Sequence, residues 1–394
     1  MATVRLKKGR EKLLLSRHPW VFGGGVERVE GDVTPGDVVD VVAADGAFVG
    51  RGYHNAQSRI CVRLLSWDAD TAIDAAWWDA RIGSAITARA LLEAEPATDA
   101  YRLVHAEADL LPGLIVDRYA DVVVVQFLTA GVERAREAIL GALTARFPVA
   151  RLYERSDTTS RRREGLEPRA GWIRGEGPAH VEIHEHGLTF MVNFEAGQKT
   201  GFYLDQRENR AAAASLASGR RVLDAFSYTG AFGVTAATAG AAALTMCDTS
   251  AGALETAHWN LEHNEIGACA CETVQADVFD QLRAWKAEGR RFDMVVLDPP
   301  RFATNQHQVD KALRAYKDIN MLAMQLLEPG GILATFSCSG AVDAQAFTLA
   351  VSWAGLDAGR SVQILRRLSQ GPDHPVLTSF PESEYLKGLL CRIV

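Results

Sequence analysis

Five side chains of this sequence have the types and positions to do chemistry together. A carboxylate accepts hydrogen bonds from hydroxyl and amino groups, and a cysteine thiolate is a nucleophile. The sequence therefore indicates a site in which four acids hold a ligand and one thiol attacks a second molecule. Helix-capping acids and a buried structural cysteine are the alternatives. Each of the five side chains lies at the end of a short apolar run: Asp224, Asp248, Asp277, Asp298 and Cys338.

The apolar runs themselves predict how these side chains are positioned. From about Val181 onward they alternate with helical stretches, such as Ser250 to Asn264 and Gln308 to Leu327. Alternating strands and helices form βαβ units around a parallel sheet, and ligands of such sheets bind beyond the carboxyl ends of the strands. The fold class expected is therefore α/β. The runs are RRVLDAF, AALTMCD, CETVQAD, FDMVVLDPP and GILATFSCS.

The loop after the first run favours one class of cofactor. It reads Ser227-Tyr228-Thr229-Gly230 and precedes an alanine-rich helix, but it lacks the GxGxxG pattern of dinucleotide enzymes. Asp248 is placed to accept hydrogen bonds from ribose hydroxyls, and Asp277 to meet an adenine amino group. S-adenosylmethionine fits this pattern because it carries an adenosine and no pyrophosphate.

Cys338 and Asp298 suggest how the second molecule, the methyl acceptor, is activated. Carbon 5 of cytosine is a poor nucleophile until a thiolate adds to carbon 6, which is covalent catalysis. Asp298 could assist by hydrogen bonding to, or protonating, ring nitrogen 3. The two prolines after Asp298 have fixed backbones and lack amide donors, so they could form a rigid lip for a flat base. A simple turn is the alternative.

The residues before Val181 form two regions with other secondary-structure patterns. Val4 to Trp67 reads as strands and turns, with a hairpin at Asp45-Gly46. Ile73 to Pro178 reads as α+β, with helices over about 74–92 and 131–147, a strand pair that turns at 119–121, and a basic loop RRREGLEPR. At 394 residues, two or three domains are expected.

Charge distribution points to nucleic acid although the total does not. The formal net charge is −7, which by itself argues against a phosphate-binding protein. The first 28 residues nevertheless carry seven basic against two acidic side chains, and a second basic cluster follows later. A solvated charged surface is the alternative. The candidate RNA contacts are Lys7, Lys8, Arg10, Lys12, Arg17, Arg161, Arg162 and Arg163.

Composition predicts the class of protein and the compartment in which it works. With 48% hydrophobic residues the chain is expected to be globular, and it has no apolar run long enough to span a membrane. The basic N-terminus lacks the apolar core of a secretory signal. Six cysteines without a CxxC pair indicate free thiols in a reducing cytoplasm and no metal site.

These motifs resemble those of the bacterial 23S ribosomal RNA large-subunit methyltransferase I family, which forms 5-methylcytosine with S-adenosylmethionine. The similarity covers nearly the whole chain: KGREK, SRHPWVFGG, ERSD, GQKTGFYLDQRENR, FSYTGAF, CDTS, DPPRF, YKDINMLAMQLL, FSCSG, DHPV and YLKG. It implies a PUA RNA-binding domain over residues 1–68, a small α+β domain over 69–180 and a class I methyltransferase domain with a mostly parallel seven-stranded sheet over 181–394.

The resemblance also implies roles for individual residues. Cys338 matches the nucleophile, with Asp298 beside it, and the run from Gln198 to Arg207 is expected over the cleft. The implied cofactor-binding residues are Asp224, Phe226, Ser227, Tyr228, Thr229, Gly230, Asp248, Ser250, Asp277 and Asp298.

One position departs from the wider group of RNA cytosine-5 methyltransferases. Many of them carry a second cysteine directly after the Asp-Pro-Pro motif, where this chain has Arg301. The base that removes the carbon 5 proton is therefore not identified. Three alternatives remain: methylation of guanine or an exocyclic amine, a non-catalytic RNA-binding ribosome assembly factor, and a small-molecule methyltransferase. A homodimer is plausible, with 23S ribosomal RNA or the large subunit as partner.

Overall fold

The computed structural model of the chain describes residues 1–95 and 97–394. It forms two compact units, each assembled from more than one segment. The first consists of Met1–Gly187, Val192–Leu204 and Pro372–Ser383. The second consists of Leu188–Met191, Asp205–Gly371 and Glu384–Val394. Among the described helices, none is both long enough and apolar enough to cross a membrane.

The first unit begins with a six-stranded sheet in the order β2-β6-β5-β4-β1-β3. Apart from the parallel pair β1 and β4, its neighbours are antiparallel. Asp45-Gly46 forms the predicted turn between β4 and β5, with Gly46 at φ +93°. The elements are β1 (Ala2–Leu6), α1 (Lys12–Leu15), β2 (Trp20–Phe22), β3 (Val26–Glu30), β4 (Val38–Val42), β5 (Phe48–His54) and β6 (Ile60–Ser66).

A five-stranded sheet follows, in the order β11-β10-β9-β8-β7, with helices packed on its apolar side chains. Four consecutive valines of β9 are buried, as expected for a strand covered on both faces. The elements are α2 (Ala75–Thr87), α3 (Ala90–Glu93), β7 (Ala100–His105), β8 (Leu114–Tyr119), β9 (Val122–Phe127), α4 (Ala130–Arg134), α5 (Arg136–Arg146), β10 (Arg151–Ser156), α6 (Thr159–Arg163) and β11 (Arg169–Arg174).

Buried polar contacts join these two sheets. The Tyr53 hydroxyl donates to the Pro112 carbonyl at 2.6 Å and lies 2.8 Å from the Thr129 hydroxyl. Arg63 pairs with Glu164 at 2.9 Å where both side chains are almost fully covered. A buried ion pair is retained only with good geometry, so these contacts fix how the two sheets meet.

The second unit is built on a seven-stranded sheet in the order β16-β15-β14-β17-β18-β20-β19. Strand β20 runs antiparallel to both of its neighbours, and the other paired strands are parallel. The mostly parallel seven-stranded sheet is therefore confirmed. Its strands are β14 (Arg221–Ala225), β15 (Ala243–Asp248), β16 (Ala270–Gln275), β17 (Phe292–Leu297), β18 (Leu327–Ser337), β19 (Val362–Ser369) and β20 (Lys387–Ile393).

Helices cover this sheet, and their apolar sides form one continuous core with it. Several begin at a side-chain cap: Ser250, Asp277 and Asp343 each accept a hydrogen bond from a backbone amide in the first turn. A two-stranded sheet of β12 (His180–Glu185) and β13 (Leu188–Asn193) precedes them in the chain. The helices are α7 (Arg207–Ala214), α8 (Ala231–Thr238), α9 (Ala251–Glu262), α10 (Val278–Ala287), α11 (Val309–Leu326) and α12 (Ala344–Ala358).

Two local predictions need correction. The helix expected over 74–92 is interrupted after Thr87, where the buried Arg89 turns inward and pairs with Asp109 at 2.7 Å. The basic stretch expected to be a loop begins as helix α6, capped by the Thr158 hydroxyl. In both places a buried arginine, rather than local propensity, decides the backbone path.

Candidate active site

The predicted site residues meet at one edge of the seven-stranded sheet. Asp248 is the last residue of β15, and Asp298 and Cys338 directly follow β17 and β18. Asp224 is the penultimate residue of β14, which lies between β15 and β17. Because these neighbouring strands are parallel, their carboxyl ends lie side by side. The structure therefore brings together residues that are up to 114 positions apart in the sequence.

The loop after β14 has an unusual backbone. Phe226, Tyr228 and Gly230 all have positive φ, at +62°, +49° and +75°. The first two are not glycines, and such strain is retained where the surrounding structure fixes it, commonly at ligand sites. The Tyr228 amide donates to Asp248 Oδ2 at 2.9 Å, and the Gly230 amide donates to the Ser227 carbonyl at 2.8 Å. The loop is thus held in a single conformation by its neighbour strand.

Acidic side chains at this edge repel one another. Burial, with smaller contributions from the nearby carboxylates of Asp298 and Asp248, raises the pKa of Asp224 to about 7. A hydrogen bond of 2.8 Å from the Gly233 amide and the charge of Arg210 oppose the rise. Such a cluster is stabilised when a cation binds beside it.

Two buried hydroxyl groups indicate that a polar ligand belongs here. Ser227 Oγ and Thr229 Oγ1 are covered from solvent, and no hydrogen-bond partner for either lies in the described part of the chain. Buried polar groups nearly always have partners, so these two oxygens point to a ligand that supplies them. Hydroxyl and amino groups of S-adenosylmethionine can do so, and its positive charge suits the neighbouring acids. The residues present therefore fit this cofactor.

Two further cofactor candidates are helix caps in this structure. Ser250 Oγ accepts from the Ala253 amide at 3.3 Å, and Asp277 Oδ1 accepts from the Asp280 amide at 3.1 Å. Capping occupies one oxygen of Asp277 and leaves the other able to accept a further hydrogen bond. The capping role that was the alternative for the acids is therefore real at Asp277, where it is compatible with ligand binding, and Ser250 is a cap as well.

Cys338 is held in place by the two serines that flank it. Ser337 and Ser339 are fully buried, whereas Cys338 is partly exposed. Ser339 Oγ accepts from the Ala303 amide at 3.1 Å and lies 2.9 Å from the Tyr316 hydroxyl. Because side chains alternate along an extended backbone, anchoring both serines inward directs the intervening thiol outward.

The Asp-Pro-Pro segment lies directly beside Cys338. The thiol is 4.0 Å from the Pro299 carbonyl oxygen, and Arg301 Nε donates to the Cys338 carbonyl at 3.2 Å. Pro299 is buried and Pro300 is exposed. Arg301, at the position of the second cysteine in related enzymes, is thus a neighbour of the thiol.

Three residues of this site escaped the sequence reasoning. Phe279 lies 6.2 Å from Phe226, measured between ring centroids, and Tyr316 stacks 4.7 Å from Phe302, which itself faces Phe279. Lys387 begins strand β20 and donates to the Ser339 carbonyl at 2.8 Å. The only sequence signal was that Tyr316 and Lys387 fall inside stretches that resemble the family, namely YKDINMLAMQLL and YLKG.

The first basic cluster lies at the surface. Its side chains are exposed, and Arg17 stacks on the Trp67 ring at 5.3 Å. Arg5 and Arg28, in contrast, are paired with Glu30 at 3.2 and 2.8 Å, so they add less to the surface charge than the count suggested. The exposed candidates are Lys7, Lys8, Arg10, Lys12 and Arg17.

Arg161 was wrongly placed among the RNA contacts. Its side chain is 3% exposed and donates to the Glu133 carboxylate at 2.7 Å and to the Phe127 and Glu167 carbonyls at 2.6 and 2.5 Å. A guanidinium has five donors in a fixed fork, which suits it to joining several buried acceptors. Its neighbours Arg162 and Arg163 are exposed.

Comparison with known proteins agrees with this geometry. A family model for a PUA-like domain matches residues 4–67, and a model for an S-adenosylmethionine-dependent methyltransferase matches residues 135–392. Three relatives carry the name ribosomal RNA large subunit methyltransferase I. They come from Shewanella denitrificans (49% identical), Pseudoalteromonas atlantica (47%) and Klebsiella pneumoniae (45%), and each alignment covers 99% of this chain and 98–99% of the relative.

The chain belongs to the ribosomal RNA large subunit methyltransferase I family. Two solved structures have the same fold as this chain. A putative methyltransferase complexed with SAH matches the whole chain with a TM-score of 0.86 at 23% identity. A putative methyltransferase from Streptococcus mutans matches it with a TM-score of 0.85 at 22% identity. The expected PUA and methyltransferase folds are confirmed, and the cofactor is S-adenosylmethionine.

Proposed function

We propose that this methyltransferase forms 5-methylcytosine in 23S ribosomal RNA through a covalent bond between Cys338 and the base. The names of its relatives support large-subunit ribosomal RNA as the substrate. The observation that carries the cytosine-5 assignment is the position of a partly exposed thiol beside Asp-Pro-Pro, at the edge where the cofactor loop ends. Transfer to an exocyclic amine needs no such nucleophile.

In the proposed reaction the Cys338 thiolate bonds to carbon 6 of cytosine, and the displaced ring electrons make carbon 5 nucleophilic. When bound, S-adenosylmethionine supplies the methyl group to carbon 5. A base then takes the carbon 5 proton, the electrons of that bond restore the ring double bond, and the carbon–sulfur bond breaks. The thiolate is regenerated and the methyl group stays on the base.

Asp298 is proposed to act on the base. It follows the end of β17 beside Cys338 and is electrostatically coupled to Asp224. A carboxyl group in this position can share a hydrogen bond or a proton with ring nitrogen 3 of cytosine. Protonation there draws electrons away from carbon 6 and assists the attack by sulfur. Pro299 and Pro300 lie next to it as the lip for the ring.

The cofactor is proposed to bind at the loop 224–230 and the two strand ends beside it. Ser227 and Thr229 offer hydroxyls to it, Asp248 accepts from its ribose, and Asp277 accepts from its adenine amino group. Phe279, the second residue of helix α10 and two residues after Asp277, is well placed to pack on the adenine ring. Asp224 and Ser250 support this binding by fixing the starts of helices α8 and α9.

RNA is proposed to contact the exposed basic cluster of the N-terminal sheet, together with Arg162 and Arg163. Clustered lysines and arginines bind phosphates whatever the total charge of the chain. We retain the division into residues 1–68, 69–180 and 181–394 as a proposal, supported by the separate six-, five- and seven-stranded sheets. A cytoplasmic setting, supported by cysteines that are all free, and a homodimer also remain proposals.

The test is methylation of 23S ribosomal RNA from a strain that lacks the modification, with labelled S-adenosylmethionine and mapping of the modified base. We expect 5-methylcytosine from the native chain and none from Cys338→Ala. Cys271→Ala, which removes an exposed thiol far along the sequence, is the matched control and should retain activity. RNA containing 5-fluorocytosine should form a covalent complex that depends on Cys338.

Each other outcome selects a different function. Label on guanine or on an exocyclic amine, unaffected by Cys338→Ala, would replace the covalent mechanism. Cofactor binding with no transfer to any RNA form would favour a ribosome assembly factor. Transfer only to small molecules would exclude RNA as the substrate.

A further inference from the structure

Lys387 is a buried lysine that meets the chain on both sides of Cys338. It is the first residue of β20, and it pairs with Ser337, the residue immediately before Cys338. Its side chain is 6% exposed, and its Nζ donates to the carbonyl of Ser339, the residue immediately after Cys338, at 2.8 Å. A second bond of 2.8 Å reaches the Tyr385 carbonyl. The ammonium group therefore holds the backbone immediately after Cys338 in place.

Charged groups around Lys387 come from several elements. Burial is the main reason that the pKa of Lys387 is lowered to about 8; Arg301 lowers it as well, while Cys338, Glu384 and Asp343 act in the opposite direction. Cys338 therefore lies within electrostatic range of the ammonium. Glu384 and Asp343 are exposed, so water screens their charges more than it screens the charge of the buried Lys387. Arg301, also exposed, adds a second positive charge close to the thiol.

We propose that Lys387 is a positioning residue whose ammonium stabilises the thiolate of Cys338 and fixes the turn that presents it. This inference rests on the proposed function of Cys338 as the nucleophile. The thiol releases its proton to solvent, and the sulfur keeps the electron pair with which it attacks the base. A nearby ammonium or guanidinium is the usual means by which proteins favour a thiolate. The two backbone bonds keep the charge in place while sulfur bonds to and leaves the ring.

A purely structural cross-link is the competing explanation, and a pH profile separates the two. A cross-link would change the fold or its stability, whereas a charge partner changes the pH at which the thiol becomes reactive. Lys387→Gln removes the charge and keeps amide donors for the two carbonyls. Lys387→Arg keeps the charge.

The experiment measures alkylation of Cys338 by iodoacetamide from about pH 6 to about pH 10, with each cysteine followed by peptide mass spectrometry. Neither RNA nor S-adenosylmethionine is present. We expect Lys387→Gln to move the midpoint of Cys338 alkylation upward by about one pH unit, and to slow the reaction about tenfold near pH 7. Lys387→Arg should restore most of the native profile. Cys271 in the same molecules is the internal reference: burial raises its pKa to about 12, so it reacts slowly throughout, and its alkylation rate should not shift between the variants.

An unchanged midpoint in folded Lys387→Gln overturns the proposal, as does an equal shift at Cys271. If Lys387→Gln does not fold, the native chain decides: a Cys338 midpoint at or above about 8.5, the value of an ordinary cysteine, also overturns it. Because the measurement needs no methyl transfer, it stands apart from the proposed function. If no 5-methylcytosine formed, the proposed function would fail, while the alkylation profile would still decide whether Lys387 stabilises the Cys338 thiolate.

Discussion

Three consecutive arginines with opposite environments allow a sharp test of the structure. Arg161 is buried in helix α6, whereas Arg162 and Arg163 are exposed on it. We expect Arg161→Met to destabilise the first unit without reducing affinity for RNA. We expect Arg162→Met and Arg163→Met to reduce affinity for RNA without destabilising the first unit.

The magnitude follows from the contacts that Arg161 makes. Its loss removes the hydrogen bond to the buried carbonyl of Phe127 and the partly buried bond to the carbonyl of Glu167, at about 1 kcal/mol each. Glu133 loses one partner but keeps Arg136, which bonds both of its oxygens at 3.0 Å. Although burial opposes it, the hydrogen bonds from Arg136 and Arg161 lower the pKa of Glu133, so the acid stays charged. The lost charge-assisted bond to Glu133 adds about 1 kcal/mol, so the total is about 3 kcal/mol, at the low end of the range for breaking a buried ion pair.

Two assays on the same proteins measure the effects. Thermal unfolding should show a decrease of roughly 6–12 °C for Arg161→Met and a change of stability within about 0.5 kcal/mol for the two exposed variants. Filter binding to ribosomal RNA over a range of salt concentrations should show native affinity for Arg161→Met, measured below its transition. Each exposed variant should lower the salt slope by about 1. A variant at Arg161 that melts like the native chain but binds RNA more weakly would refute this reasoning.

Three further outcomes are expected. Since the pKa of Asp224 is about 7, affinity for the cationic S-adenosylmethionine should rise by up to about tenfold between about pH 6 and about pH 8, as the acid becomes charged; calorimetric titration that shows no pH dependence would exclude this. Gly230→Ala should lower stability by about 1–3 kcal/mol, because φ is +75° and a Cβ would lie 2.7 Å from Met246 Sδ. Gly252→Ala, with open space around its Cβ, should be neutral or stabilising in the same thermal unfolding assay. Asp277→Ser keeps a helix cap, so the unliganded protein should unfold normally while cofactor affinity falls; unchanged affinity would reduce Asp277 to a cap.

The sequence by itself determined the architecture of the second unit. Apolar runs that end in acids, separated by helical stretches, require a parallel sheet, and parallel strands place those acids on one edge. That is why Asp248, Asp298 and Cys338 were found at strand ends without coordinates. The hairpin at Asp45-Gly46 was equally local, because a turn of this type needs a residue that tolerates positive φ.

Tertiary structure decided what depends on distant partners. Nothing in a run of three arginines says which one turns inward, because the acceptors on Phe127, Glu133 and Glu167 come from separate segments. Nor does the start of the last strand reveal a lysine beside Cys338, since that contact exists only once β20 pairs antiparallel with β18. Spacing along the chain reports local backbone preference, whereas burial and charge pairing depend on which elements pack together.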